Sequence, residues 1–335
     1  MPELLTAIVI AKDEADNLPR CLKSLVGLAD SVVVCDTGST DGTQDIARAL
    51  GALLIERPWK DSFAASKNEA LDAATGEHVL PIDCDEEVGA ETDKAETRER
   101  LRDDGLPDIK LVRNVLRYPT YSVTLLMPRL FRRKAGIRFI HDVHEQLDVE
   151  DETAVLSNVW LYHHGYLEPG ALEKKERRNL RIALRMPPSG HRDHCVARSA
   201  FAVGEWREAI DACRSLLEST TSPPLREDAC SIGAAASFNA RDATALAAFL
   251  DMGREMAPES ADIQLIAVLD AMARYLHLLR NGDSTTQGLE YVRPWMFWHE
   301  KTRARRAFAE MSNATRSPIP TGQLALPTPE GDSHA

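Results

Sequence analysis

VLPIDCDEE, residues 79–87, joins a short apolar run to four carboxylates within five positions. Val79, Leu80 and Ile82 have the character of a buried strand. Asp83, Cys84, Asp85, Glu86 and Glu87 end it abruptly. Strand alternation predicts Asp83 and Asp85 on one face at the strand's carboxyl end. Two carboxylates converging there repel each other unless a cation sits between them. Mg²⁺ and Mn²⁺, hard ions that prefer oxygen ligands, suit that place. The plainer alternative is a solvated acidic turn. The flanking sequence decides between them.

Working upstream, TAIVIA (6–11) is a first strand that runs straight into Lys12-Asp13-Glu14, and Leu18, Leu22 and Leu25 follow at helical spacing. SVVVC (31–35) is a second strand, ended by Asp36-Thr37-Gly38-Ser39-Thr40-Asp41-Gly42-Thr43, with a helix over QDIARAL. ALLIE (52–56) is a third strand, followed by a helix from about Ser62 to Ala74. The fourth strand, 78–82, completes a β-α-β-α-β-α-β alternation, which predicts a parallel sheet with helices on both sides. Ligands of such sheets bind at the strands' carboxyl ends, where Glu14, Asp36 with Thr37, and Asp83 with Asp85 all fall.

Downstream, a helix is expected around Glu91–Arg102 and added strands, antiparallel in character, over 109–117 and 122–133. The segments 136–149 and 158–170 are dense in chemically active groups: His141, Asp142, His144, Glu145, His163, His164 and Tyr166. From Ala171 the strands stop. A helix (ALEKKERRNLRIAL) leads through a linker, 186–193, into helical pairs over 195–218 and 225–256. Small residues alternate there with larger apolar ones in a pattern like degenerate tetratricopeptide repeats. The expected domains are 1–185 and 191–310, with a Pro/Gly/Thr-rich disordered tail at 312–335.

The bulk properties bound the function. The chain has 335 residues, 44% hydrophobic and 27% charged, with a net charge of −12. That charge lies wholly in residues 1–168, with 19 basic against 31 acidic residues, while 169–335 carry 21 of each. An acidic half argues against broad nucleic-acid binding, although Arg129, Arg132, Arg133, Lys134 and Arg138 form one basic cluster. No apolar run reaches the length of a membrane span, and the N-terminal stretch lacks the features of a secretory signal. Six scattered cysteines without CxxC pairs fit reduced thiols in the cytoplasm. GSTDG (38–42) lacks dinucleotide-fold spacing, and HEQLD (144–148) has Asp where a zinc protease has its second His.

The ordered set TAIVIAKDEADNLPRCLKSL, VVVCDTGSTDGTQDIA, FAASKNEALDAATGEHVLPIDCDEE, RLFRRKAGIRF, VHEQL and HHGYLEPGALEKKERRNL resembles the family-2 glycosyltransferases of GT-A fold over roughly residues 4–185. Within that family it is most similar to the branch with tetratricopeptide-like helices behind the transferase domain, which includes glycocin-type peptide S-glycosyltransferases. The resemblance implies an α/β GT-A nucleotide-sugar-binding domain with a mixed sheet, then an α-helical domain. It implies a UDP-sugar donor, Mn²⁺ or Mg²⁺, and an inverting transfer to a macromolecular acceptor.

Residue by residue, the resemblance matches Glu14, Asp36 and Thr37 to nucleoside-holding positions and Lys67 with Asn68 to the family's Arg-Asn pair at the diphosphate or sugar. Asp83 and Asp85 match the DxD motif, Asp85 as the direct metal ligand, with His163 or His164 completing the metal site. Glu145 matches the general base, and Asp142 and His144 in the same HDVHE stretch are further candidates. Position 13 is Asp where the branch has Asn, and position 67 is Lys where it has Arg. A peptide or protein Cys, Ser or Thr is the expected acceptor, and homodimerisation would run through the helices. Two rivals stand beside this: a hydroxymethylated DNA base as acceptor, with the basic cluster and 299–306 on phosphate, and a non-catalytic helical scaffold.

Overall fold

The computed structural model describes residues 3–119, 121–134, 136–149, 154–167 and 170–256. The helices expected within 257–310 and the tail at 312–335 lie outside the described residues.

The first half alternates strand and helix as the apolar runs predict: β1 (Leu5–Ala11), α1 (Leu18–Ser24), β2 (Ser31–Asp36), α2 (Thr43–Ala49), β3 (Leu53–Glu56), α3 (Phe63–Ala73) and β4 (His78–Pro81). Then come β5 (Glu86–Val88), α4 (Lys94–Leu101), β6 (Ile109–Arg117), β7 (Ser122–Arg132), the short β8 (Phe139–Ile140) and β9 (Gln146–Leu147), and β10 (Ala154–His163). Eight strands form one sheet in the order β3-β2-β1-β4-β7-β6-β10-β5, while β8 and β9 pair separately. The first four sheet positions are parallel, and β7 runs antiparallel between β4 and β6. The mixed sheet implied by the family resemblance is present.

β1 shows why the sheet is covered on both faces. Leu5, Ala7 and Val9 pack with Leu18, Cys21, Leu22 and Leu25 of α1. Ile8 packs on the opposite face with Ala64, Ala70 and Leu71 of α3. A near-continuous apolar run is what such a central strand requires. Local signals start the helices: Ser62 Oγ accepts from Ala65 N at 3.1 Å and Asp93 Oδ1 from Glu96 N at 2.9 Å, the usual N-cap arrangement.

Five helices follow: α5 (Ala171–Ala183), α6 (Gly190–Val203), α7 (Trp206–Ser219), α8 (Pro223–Ala240) and α9 (Ala243–Met256). Gly204 closes α6 at φ 84°, a left-handed cap suited to glycine. Each helix packs on the next, and α6 also touches α8. Their shared core includes Phe201, Ile210, Leu216 and Phe249, and it takes in Val143 from the β8–β9 loop, with Trp59 and Phe63 packed against it. The helical layer thus leans on the loop that carries HDVHE. Among the described residues no helix is long and apolar enough to cross a membrane.

Two expectations need correction. β4 stops at Pro81, so Asp83 and Asp85 lie in a turn rather than in strand alternation; Glu86 N donates back to Asp83 O at 2.9 Å. The supposed linker 186–193 ends early, because Ser189 caps α6 by accepting from Arg192 N. β10 runs parallel to β6 and antiparallel to β5.

Candidate functional site

β1, β2 and β4 bring their carboxyl ends together where the chain reverses its direction of progress across the sheet, the place at which α/β folds bind ligands. The loops after β1 and β2 are stitched to each other. Asp13 Oδ1 accepts from Thr40 N at 2.7 Å, Asp13 N donates to Ser39 Oγ at 2.8 Å, and Glu14 N donates to Thr43 Oγ1 at 2.8 Å. Asp13 sits at φ 53°, a backbone region that Asp and Asn tolerate better than most residues. Glu14 accepts from Asn17 Nδ2 at 2.9 Å, and its pKa is raised, chiefly by burial.

Asp36 is fully buried and organises its turn. Its Oδ1 accepts from Gly38 N, Ser39 N and Gln44 Nε2, and its Oδ2 from Ser39 Oγ. Burial opposes its charge, but these donors outweigh burial and leave the pKa lowered. Thr37 Oγ1 donates to Ala11 O at 3.0 Å. Both side chains are committed to shaping the β2 loop. Asn68 is committed too: its amide donates to Phe139 O and accepts from Phe139 N, each at 2.9 Å, clamping α3 to β8.

The DxD turn carries a dense ionic network. Asp83 Oδ1 lies 3.6 Å from Lys67 Nζ and its Oδ2 lies 3.3 Å from Arg129 Nη2. Lys67, itself buried, also pairs with Glu145 Oε1. Arg129 reaches the fully buried Glu86 at 2.5 Å, and Asn114 Nδ2 donates to the same carboxylate at 2.6 Å. Burial pushes the Asp83 pKa upward, yet Lys67 and Arg129 outweigh it and hold the carboxyl far below its ordinary value. For Lys67, burial works against the charge, and Glu145 with Asp83 more than offsets it. Asp83 and Lys67 therefore stay ionised, while burial pushes the Glu86 pKa up against the pull of Arg129.

Beside it stands a second group. Asp85 Oδ2 accepts from Lys175 Nζ at 2.6 Å and lies 3.4 Å from His163 Nε2. Lys175 Nζ is also 3.5 Å from that imidazole nitrogen and 5.0 Å above the Tyr166 ring. Tyr166 stacks on Tyr118 at 5.0 Å and tilts against His163 at 4.5 Å. Burial lowers the His163 pKa against the opposing pull of Asp85. Gly165 has no room for a side chain, since a Cβ there would collide with Asp85 Oδ2 and Lys175 Nζ.

Of the expected metal donors, Asp85 and His163 come together. His164 does not: its Nε2 faces Glu87 Oε1 at 3.0 Å, and only its backbone N–H reaches Asp85, donating to the carbonyl at 2.9 Å. Among the described residues no three His, Cys, Asp or Glu side chains converge on one metal-sized point. One carboxylate and one imidazole still suit Mn²⁺ or Mg²⁺, ions that fill their remaining positions with water and substrate phosphates. The HDVHE candidates separate as well. Glu145 joins the ionic network, His144 is half-buried with its enclosed Nε2 unpartnered among the described residues, and Asp142 accepts from Phe63 N through its carbonyl. Sequence reasoning missed Glu86, Arg129 and Lys175 as site residues. Their only signal was position, Arg129 within the basic cluster and Lys175 within HHGYLEPGALEKK.

The description Glycosyl transferase family 2 matches residues 6–106. A TPR repeat-containing protein of Synechococcus elongatus is 41% identical over 143 residues, 42% of this chain and 34% of that protein. The SPbeta prophage-derived glycosyltransferase SunS of Bacillus subtilis is 26% identical over 196 residues, 55% of this chain and 46% of that protein. The chain thus aligns with between a third and a half of the length of these relatives. Among solved structures, S. aureus TarS 1–349 in complex with UDP-GlcNAc superposes with a TM-score of 0.42 and 17% identity, covering 75% of this chain and 89% of that one.

Proposed function

We propose that the chain, whose residues 6–106 match the description Glycosyl transferase family 2, is a metal-dependent inverting glycosyltransferase. It takes a sugar from a UDP-linked donor and passes it to a thiol or hydroxyl of a peptide or protein. The observation that carries this reading is the ring of Lys67, Arg129 and Lys175 around Asp83 and Asp85 at the strand ends.

Glu14, Asp36 and Thr37 line the nucleoside side through the stitched β1 and β2 loops. Asp36 and Thr37 act there mainly by holding backbone groups in place. Asp85 with His163 would hold Mn²⁺ or Mg²⁺, which when bound neutralises the leaving diphosphate, while Asp83 anchors Lys67 and Arg129 beside it. Lys67 and Arg129 keep fixed positive charge beside the same phosphates, at no reorganisation cost. Glu145, oriented by its ion pair with Lys67, takes the acceptor's proton. The acceptor's sulfur or oxygen bonds to the anomeric carbon, the bond from that carbon to the diphosphate oxygen breaks, and UDP leaves with the electron pair. One displacement inverts the centre.

Two observations favour a peptide acceptor over DNA. The helical layer abuts HDVHE, where Val143 O accepts from His191 Nε2 at 3.0 Å. Four of the five cluster residues are paired with carboxylates, Arg129 in the site, Arg132 on Asp104, Lys134 on Asp108 and Arg138 on Asp72, and Arg133 donates to the Gly76 carbonyl. Residues 299–306 lie outside the described residues. The six cysteines described are all free, which supports a reducing, cytoplasmic setting. Self-association through the helices is part of the same proposal.

The test is UDP release from UDP-sugars with Mn²⁺ or Mg²⁺. Asp85→Asn is expected to lose at least about a hundredfold in turnover, several kcal/mol of metal-assisted stabilisation. Undiminished turnover would remove the metal assignment. A lack of UDP binding with metal by calorimetry would revive the scaffold alternative.

A further inference from the structure

Lys175 has a place in the site that neither the family match nor the relatives assign. Its ammonium donates to Asp85 Oδ2 at 2.6 Å and lies 3.5 Å from His163 Nε2. These are the two atoms best suited to bind a divalent cation, and a lysine on its own helix already faces both. Two features hold it there: Tyr166 lies under the ammonium at 5.0 Å, and Tyr118 stacks behind Tyr166 at 5.0 Å. The Gly165 backbone passes so close that a Cβ there would have to push the Asp85–Lys175 pair aside. The contrast with the neighbouring cations is instructive. Lys67 and Arg129 are more deeply enclosed, with side chains 8% and 14% exposed, and each holds two carboxylates. Lys175 is 28% exposed and its one ion pair among the described residues is to Asp85. It is the cation free to leave.

We infer that Lys175 is a tethered counter-cation that exchanges with the divalent metal at Asp85 and His163, and so sets how tightly the site takes metal. Like charges cannot share one carboxylate oxygen and one imidazole lone pair at contact distance. A metal ion that arrives must therefore displace the ammonium, and the displaced lysine swings toward solvent at the mouth of the site, where the donor's diphosphate would lie. The exchange makes metal uptake weak until a phosphate anion is present to receive the lysine, which couples metal binding to donor binding. This rests on the metal reading above, so the experiment separates the two.

Mn²⁺ binding, read by loss of the free-ion paramagnetic signal, is compared in the wild type, K175Q, K175R and D85N. K175Q is expected to bind Mn²⁺ about tenfold more tightly than the wild type, and K175R no more tightly. K175Q binding no more tightly, while D85N loses binding, overturns the exchange and leaves the metal site standing. D85N binding as the wild type does overturns both. Should K175Q fold poorly, the unmodified protein gives the second measurement: acetylation of Lys175 by a small reagent, followed by mass spectrometry. The modification rate is expected to rise several-fold on adding Mn²⁺. An unchanged rate overturns the exchange.

Discussion

At the scale of single residues, the HDVHE stretch divides its labour between chemistry and packing. Glu145 pairs with the buried Lys67 and is the base of the proposed reaction, so its replacement by Gln should spare donor binding and strike the proton transfer. E145Q is expected to lower kcat by about 10² to 10⁴ with KM for the donor little changed; steady-state kinetics on a peptide acceptor would check this. His144 does the opposite. Burial pushes its pKa down to about 3, so the folded protein holds it neutral while the unfolded chain protonates it near its ordinary value. Below pH about 6.5 the unfolded state therefore binds more protons, and stability falls as pH drops from there toward 3. His78, pushed down to about 4 by burial, adds to the same slope. His144→Asn keeps a residue tolerant of the left-handed backbone at φ 52° and removes the titration. Urea unfolding between pH 7 and 4.5 should show a shallower pH dependence in that variant. An unchanged slope would mean that His144 is not the group responsible.

At the scale of elements, what could be read from the chain depended on whether burial came from local pattern or from distant contacts. β1, β2 and β4 are continuous apolar runs, and their parallel order followed from alternation with helices. The helical pairs α6–α7 and α8–α9 were equally plain, from apolar spacing and from Gly204 at the turn. Asp83 and Asp85 follow β4 as the sequence predicts, and their geometry differs from the expected strand alternation. Pro81 ends β4, and the two aspartates are aimed by a turn that periodicity does not describe. β5 was invisible because Glu86-Glu87 looks like solvated charge. Glu86 is instead sealed beneath Arg129 and Asn114, contacts 43 and 28 residues away in sequence. Lys175 was hidden in the same way: α5 reads as a charged helix, and only the return of β10 lays its second turn on Asp85. Matching motifs marked the neighbourhood, while the partners of each charge depended on the tertiary fold.

At the scale of the whole molecule, the helices are part of the candidate site's support. Val143 is 2% exposed and belongs to the helical core, and the His141 and His191 rings stack at 3.7 Å across the junction. A chain cut after residue 185 would strip that cover from the β8–β9 loop. Amide exchange over 139–147 is expected to quicken at least about tenfold relative to β1 in the shortened protein, as in any segment that loses its buried contacts. Equal exchange in the two proteins would show that the loop stands without the helices.

The sheet order has a mechanical consequence. β4 and β5 are four places apart in the sheet, yet only residues 82–85 join them. Four steps across a flat sheet measure about 19 Å, and a short linking turn folded back on itself, as this one is, reaches much less than its extended limit of about 18 Å. The sheet must therefore roll until its far edge meets its middle, with the two aspartates as the clasp. A clasp of that kind resists opening: any motion that spreads β4 from β5 pulls directly on Asp83 and Asp85. Substrate entry is then left to the parts outside the rolled sheet, the β8–β9 loop and α5, and those are the parts that bring Glu145 and Lys175 to the site.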